Sequence, residues 1–284
     1  MSSMTNRLRI AVVAPACAMR REAADRVLAL AAARYGEAAP EIVFHPQCFL
    51  SDGHFAGSDA ERSAAFLEVA NDPAFDAIWF ARGGYGSCRL DEGLFARLSE
   101  AARAKVYLGY SDLGMVLARL YRERIGRPVH GPMPADINRA GGEAAVARAL
   151  DYLVKGDPAA LEPSVMKGTP VAAFNLTILS HLLGTSYEPD LSGHVVMVED
   201  VSEHMYRIDR AFFHITSTPS MRRIAGIMLG RVSDVLPNDP DFGKTEEDVA
   251  RYWCGRGGVA YLGRADIGHD VGNKIVPFGT TAVA

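Results

Sequence analysis

The sequence has few cysteines, no long apolar run and no excess of either charge. Its four cysteines (Cys17, Cys48, Cys88 and Cys254) lie far apart and none has C-x-x-C spacing, which excludes a disulfide framework or a thiolate zinc site. Thirty Lys and Arg residues against thirty-four Asp and Glu leave a net charge of -4, without the basic excess of a nucleic-acid binder. No stretch reaches the ~18 apolar residues of a membrane span. The opening apolar segment Ile10–Met19 is short and broken by Pro15, so it reads as a buried strand rather than a signal peptide. There is no repeat period and no low-complexity segment. The composition, 49% hydrophobic and 23% charged, is ordinarily globular. At roughly 150 residues per domain the chain should form about two domains. These absences together lead to the expectation of a soluble, cytoplasmic protein with neither nucleic-acid nor membrane partner.

What is present alternates. Leu8–Ala14 is a continuous apolar run, the pattern of a strand covered on both faces. Arg20–Tyr35 is rich in Ala, Leu, Arg and Glu and stops at Gly36, which predicts a helix with a glycine terminator. Strand patterns follow at Glu41–Phe44, Asp76–Ala81 and Lys105–Gly109, with helix patterns at Asp59–Ala70 and Leu113–Arg124. Strands joined by helical crossovers imply βαβ units and a parallel sheet. Residues 1–140 therefore read as an open α/β domain, and 141–163 as a linker holding the Ala-rich helix Glu143–Val154. Residues 164–284 are less regular. They offer helices at Asn175–Leu183, Tyr206–Thr216 and Thr245–Trp253, strands at His194–Glu199 and Ile224–Gly230, and a Gly-rich tail, Gly255–Gly279, of short strands and turns. This predicts a smaller, β-rich C-terminal domain.

Three segments could carry chemistry. Ala81-Arg-Gly-Gly-Tyr-Gly-Ser87 directly follows a strand, where glycines let backbone approach a ligand and aim N–H groups at an anion. It matches neither a Walker A loop nor G-x-G-x-x-G. An anion cradle and a tight turn are both open readings. Gly109-Tyr-Ser-Asp-Leu113 sits between a strand and a helix, the setting of a nucleophile elbow. It holds half of G-x-S-x-G, since position 113 is Leu, and from this segment alone a plain helix N-cap at Ser111 or Asp112 is the commoner reading. A serine nucleophile needs a base and an orienting carboxylate. His269 lies in the polar loop Asp266–Asn273, and Glu199 ends the apolar run Val195–Val198, so Ser111, Glu199 and His269 follow one another in the order of α/β-hydrolases. Ordinary turn and surface roles are open for both. His130, after another short strand, is a competing base. His194, His204 and His214 recur at ten-residue intervals without H-E-x-x-H or paired ligand spacing, so neither a metal nor another cofactor is expected.

These segments together resemble the LD-carboxypeptidase family of serine peptidases. The resemblance runs through Val13-Ala-Pro15, Arg82-Gly-Gly-Tyr-Gly86, Gly109-Tyr-Ser-Asp112, His130-Gly-Pro-Met133, Leu183-Gly-Thr185 and Glu188-Pro-Asp-Leu191. It continues through Val198-Glu-Asp-Val201, Tyr206-Arg-Ile-Asp-Arg210, Gly268-His269 and Pro277-Phe-Gly279. The resemblance implies Ser111 as nucleophile, His269 as general base and then acid, and Glu199 as the carboxylate orienting the imidazole. It implies an oxyanion hole made by the backbone N–H of Asp112 with that of Gly83 or Gly84, Gly84 being favoured. It further implies a triad assembled across the cleft between the two domains, and a homodimer.

The implied reaction is hydrolysis of the bond to a terminal D-amino acid, removing D-alanine from a muropeptide tetrapeptide in cytoplasmic recycling. One departure bears on the substrate. Where family members have two glycines before the Asn-Leu at Asn175-Leu176, this chain has Val171-Ala-Ala-Phe174, which could narrow the pocket. The alternative in the same fold resembles the microcin C immunity peptidases, which cleave an aminoacyl- or peptidyl-nucleotide amide. That substrate needs an aromatic surface, for which Phe174, Trp79 and Trp253 are candidates. An alternative of another class is a non-catalytic ligand-binding α/β protein whose cleft the Ala172-Ala173-Phe174 segment blocks.

Overall fold

A computed structural model describes residues 7–165 and 168–279; residues 1–6 of the opening segment lie outside it. The chain begins with five parallel strands, β1 (Arg9–Val13), β2 (Glu41–Phe44), β3 (Ala77–Phe80), β4 (Val106–Gly109) and β5 (Arg127–His130). The helices α1 (Arg21–Tyr35), α2 (Asp59–Asn71), α3 (Glu100–Arg103) and α4 (Gly114–Arg122) separate them. All four residues of β3 are buried, as the unbroken apolar run requires when helices cover both faces. α1 ends where predicted, because Gly36 takes a positive φ of 55° that other residues adopt only with strain. α2 starts at a capping box: Glu61 N donates to Ser58 Oγ at 3.2 Å, and Ser58 N to the Glu61 carboxylate at 2.8 Å. The strand order β2-β1-β3-β4-β5 reverses direction between β1 and β3, the place where open sheets of this kind open a crevice at their carboxyl ends.

After α5 (Gly142–Lys155) the chain builds a second sheet. Its strands, β6 (Val171–Asn175), β7 (Val195–Val201), β8 (Gly226–Ser233) and β9 (Tyr261–Arg264), are all parallel. They alternate with α6 (Leu176–Leu182), α7 (Met205–Ser217) and α8 (Glu246–Gly257). The part read as β-rich is thus a second, smaller α/β unit. β6 was not foreseen; Ala172, Ala173 and Phe174 lie on it and are buried.

The segment after β9 crosses back. β10 (Val276–Pro277) joins the first sheet antiparallel to β5, with Val276 opposite His130 and Pro277 opposite Val129. Two residues on, Gly279 pairs with Val171 of β6, its N–H donating at 2.8 Å and its carbonyl accepting at 3.0 Å. One short segment therefore ties both sheets. Between them α4 packs on α6 so closely that a side chain at Gly114 would lie 3.1 Å from Ile178. The shared core takes Leu113, Val116 and Leu117 from one side and Phe174, Leu176 and Leu179 from the other. Among the described residues, no helix is long and apolar enough to cross a membrane.

Candidate active site

The loops at the carboxyl ends of β1, β3, β4 and β5 surround one open cavity of about 610 Å³. Ser111 reaches it from the turn between β4 and α4. Its φ is +60°, a left-handed conformation that costs a residue with a side chain roughly 1–3 kcal/mol and occurs where the surrounding structure imposes it. The imposing contacts are on both sides. A side chain at Gly109 would collide with Phe80 of β3 at 2.8 Å, so the glycine before the serine serves strand packing as well as the turn. The missing glycine at position 113 is replaced by a fully buried Leu113.

The glycine loop after β3 lies directly against this turn. A Cβ at Gly83 would sit 2.9 Å from both Cβ and Oγ of Ser111, so only glycine fits there. Gly84 has φ +100° and presses on the Cys17 thiol. Among the described residues, the N–H groups of Gly83 and Gly84 find no acceptor. Asp112 does not present its side chain to the cavity. It is buried, accepts the Ser87 N–H at 2.8 Å, and its carbonyl accepts the Ser87 hydroxyl at 2.6 Å, clamping the glycine loop to the serine turn. Burial pushes its carboxyl pKa up. A second clamp was invisible to sequence reading. The side chain of Arg62 is fully buried and donates to the carbonyls of Gly86, at 2.7 Å, and of Pro15, joining the loops after β3 and β1.

From the second sheet come Glu199 and His269. Glu199 sits where the β7–β8 register slips between Val198 and Asp200, and it is completely buried. Its Oε2 is 2.9 Å from His269 Nδ1, while among the described residues Oε1 has no hydrogen-bond partner. The carboxylate is thus directed at the imidazole with little else to neutralise it. Burial alone would lower the His269 pKa; the charge and hydrogen bond of Glu199 outweigh it and hold the imidazole above its ordinary value. The side chain is 11% exposed, its ring centroid 4.8 Å from that of Tyr110, and it lines the cavity beside Ser111. Its loop is braced by Arg231, which binds Asp266 at 2.6 Å and Asp270 at 2.5 and 3.0 Å. Next to Glu199, Asp200 accepts from Asn175 Nδ2 at 2.8 Å and Thr177 Oγ1 at 2.9 Å, fixing the start of α6. Burial, then the Glu199 charge, pushes Asp200 up to about 6.

The competing base does not line the cavity, although its ring packs edge-on against Tyr110 at 5.6 Å. His130 is buried in the first sheet, bonded through Nε2 to Asn273 Oδ1 at 3.2 Å, and burial lowers its pKa. The ten-spaced histidines are dispersed: His194 meets Tyr121, His214 meets Ser180, and His204 stacks on Tyr206. Among the described residues, no three His, Cys, Asp or Glu side chains cluster as a metal site.

The Ala172-Ala173-Phe174 departure does not shape the cavity, contrary to expectation. These side chains point into the core, Phe174 packing on Phe278 at 5.1 Å. Nor do the proposed aromatic platforms reach it. Trp79 is buried and donates to Pro132 O at 2.8 Å, and Trp253 is held between α7 and α8 by Asp209.

Residues 10–131 match the LD-carboxypeptidase N-terminal domain, and residues 169–283 match the LD-carboxypeptidase C-terminal domain. The chain belongs to the LD-carboxypeptidase family. Among its relatives, a Synechocystis protein with a provisional carboxypeptidase name is 31% identical over 85% of this chain and 80% of its own. The murein tetrapeptide carboxypeptidase of Pseudomonas aeruginosa is 25% identical over 81% and 79%. Muramoyltetrapeptide carboxypeptidase from Oxalobacter formigenes shares the fold (TM-score 0.78, 24% identity, 96% of each chain). The microcin C7 self-immunity protein shares it too (TM-score 0.73, 15% identity, 98% and 97%), so likeness of fold alone does not decide the substrate.

Proposed function

We propose that this LD-carboxypeptidase releases a terminal D-alanine from a muropeptide tetrapeptide by serine catalysis. Ser111 is the nucleophile, His269 the base and Glu199 its orienting carboxylate. The observation that carries this reading is a strained serine and a carboxylate-paired histidine opening on one cavity. Glu199 accepts a hydrogen bond from His269 Nδ1–H, which fixes the tautomer and leaves Nε2 free to accept the Ser111 proton as Oγ attacks the carbonyl carbon. The developing oxyanion is received by the N–H groups of Asp112 and Gly84; Gly84 is favoured because it follows Gly83, where an added Cβ would lie 2.9 Å from Ser111. The imidazolium then protonates the leaving nitrogen, the C–N bond breaks and D-alanine departs. Water, deprotonated by His269, attacks the acyl carbon; the ester C–Oγ bond breaks, the imidazolium returns its proton to Ser111 Oγ, and the shortened peptide leaves with a new carboxylate. Cytoplasmic recycling of cell-wall peptides and a homodimeric state belong to the same proposal.

The test offers three substrates: a muropeptide tetrapeptide, an aminoacyl-sulfamoyl adenosine and a blank. D-Alanine release from the first alone is the expected result. Cleavage of the nucleotide amide alone would make the chain an immunity-type peptidase, and no turnover of either would favour a binding protein. The mechanism needs no metal, so turnover should survive dialysis against EDTA unchanged. Loss of activity with rescue by zinc would overturn it.

A further inference from the structure

Bond cleavage by Ser111 and His269 does not explain why cleavage would be confined to a chain end. A carboxypeptidase substrate carries its α-carboxylate one carbon from the leaving nitrogen, so a recognising cation must stand within a few ångströms of the scissile bond. The cavity supplies three: Arg20, Arg82 and Arg139, against one carboxylate, Asp136. Arg20 is exposed at the start of α1, and Arg82 is exposed and spends Nη1 on Ala18 O at 3.1 Å.

Arg139 is held differently. Its Nε donates to Asp136 Oδ1 at 3.0 Å, and its side chain is 39% exposed. The same Oδ1 accepts the Tyr110 hydroxyl at 2.9 Å, and Oδ2 accepts Met133 N at 2.8 Å. Tyr110 directly precedes Ser111, and its ring lies 4.8 Å from that of His269. Arg139 is therefore fixed by a buried chain of hydrogen bonds to the neighbours of both reacting groups. With Nε committed, its Nη1–Nη2 edge is the pair that matches the two oxygens of a carboxylate.

We propose that Arg139 binds the α-carboxylate of the departing D-amino acid, with Asp136 and Tyr110 as its positioning residues. This deepens the proposed function and rests on it. The anchor selects chain ends: an internal peptide bond or a C-terminal amide presents no charge to it, and Asp136 keeps the guanidinium from following the carboxylate out into solvent.

The test compares release of D-alanine from a free tetrapeptide with release of D-alaninamide from the same peptide amidated at its C-terminus. Arg139→Met should lower kcat/KM for the acid about 10²-fold, mainly through KM, as expected for a charged hydrogen-bonded pair. The amide should change less than about threefold, so the acid-over-amide preference collapses. Arg139→Lys should recover part of the preference, since it keeps the charge without the planar fork. It also supplies the ratio if the Met variant fails to fold, and fluorophosphonate labelling of Ser111 reports an intact site in each variant. Equal losses on acid and amide, or no loss on the acid, would overturn the anchor while D-alanine release by the unaltered protein left the catalytic reading standing. Absence of D-alanine release by the unaltered protein would remove both.

Discussion

Ser111→Ala should lower turnover about 10⁶-fold while leaving substrate affinity nearly unchanged, because the members of a nucleophile–base–acid set act as a unit. Ser111 lies in the left-handed region at φ +60°, and alanine is strained there to a similar degree, so the variant should fold as the parent does. Ser111→Gly separates the two roles of the position. It should be equally inactive yet more stable by about 1 kcal/mol, since glycine adopts positive φ without the Cβ penalty. Residual rates, isothermal binding of an uncleaved peptide and thermal melts check all three statements. Near wild-type turnover in either variant would move the nucleophile elsewhere.

His269→Ala should cost about as much as loss of the serine, and it should abolish the acid limb of the pH–rate curve. A general base works in its neutral form, so the rate should rise with pH through the folded His269 value. Glu199 holds that value above the ~6.5 reference. Glu199→Gln should lose less, about 10⁴-fold, since the imidazole remains but its tautomer is no longer imposed. The sign of the accompanying shift follows from the balance at this site. With the carboxylate charge gone, burial is left as the main influence, so the residual activity should titrate below the reference rather than above it. His130→Ala should keep the acid limb, because that buried ring, though packed on Tyr110 at 5.6 Å, does not line the cavity and is bonded to Asn273 instead. A normal curve for His269→Ala beside an inactive His130→Ala would reverse the assignment.

The parts of this site that local chemistry dictates were legible in the sequence. A strand ending at Gly109, a polar serine turn and a following helix place Ser111 at a strand-to-helix turn, while the choice between elbow and N-cap came only from the family resemblance. Glu199 was readable for a similar reason: a carboxylate closing an apolar run must stand near a strand's end. Which histidine lines the cavity, His269 rather than His130, depends on how distant segments pack, and no spacing rule encodes it. The same holds for Arg62, Arg231 and the Tyr110–Asp136–Arg139 chain, each of which acts on residues far along the sequence. β6 escaped because Ala-Ala within a short run signals neither period, and the two-residue β10 is defined only by its partner. The second unit looked β-rich because its Gly-rich tail read as further short strands, although its three crossover helices were legible at Asn175–Leu183, Tyr206–Thr216 and Thr245–Trp253.

The return of β10 has a consequence for when the protein becomes active. His269 lies just ahead of this segment, and the residues after it pair with β5 of the first sheet and then with β6 of the second. During synthesis Ser111 and its glycine loop emerge early, but the proposed base is held in place only once the late-made segment has docked on strands made long before. These are contacts of large sequence separation, whose loop-closure entropy is met late in folding. On this mechanism the nucleophile stays unactivated until the chain through Gly279 has been made and has docked. A nascent chain that still lacks this segment would thus carry a complete serine turn without peptidase activity, and hydrolysis would begin only once the segment has docked.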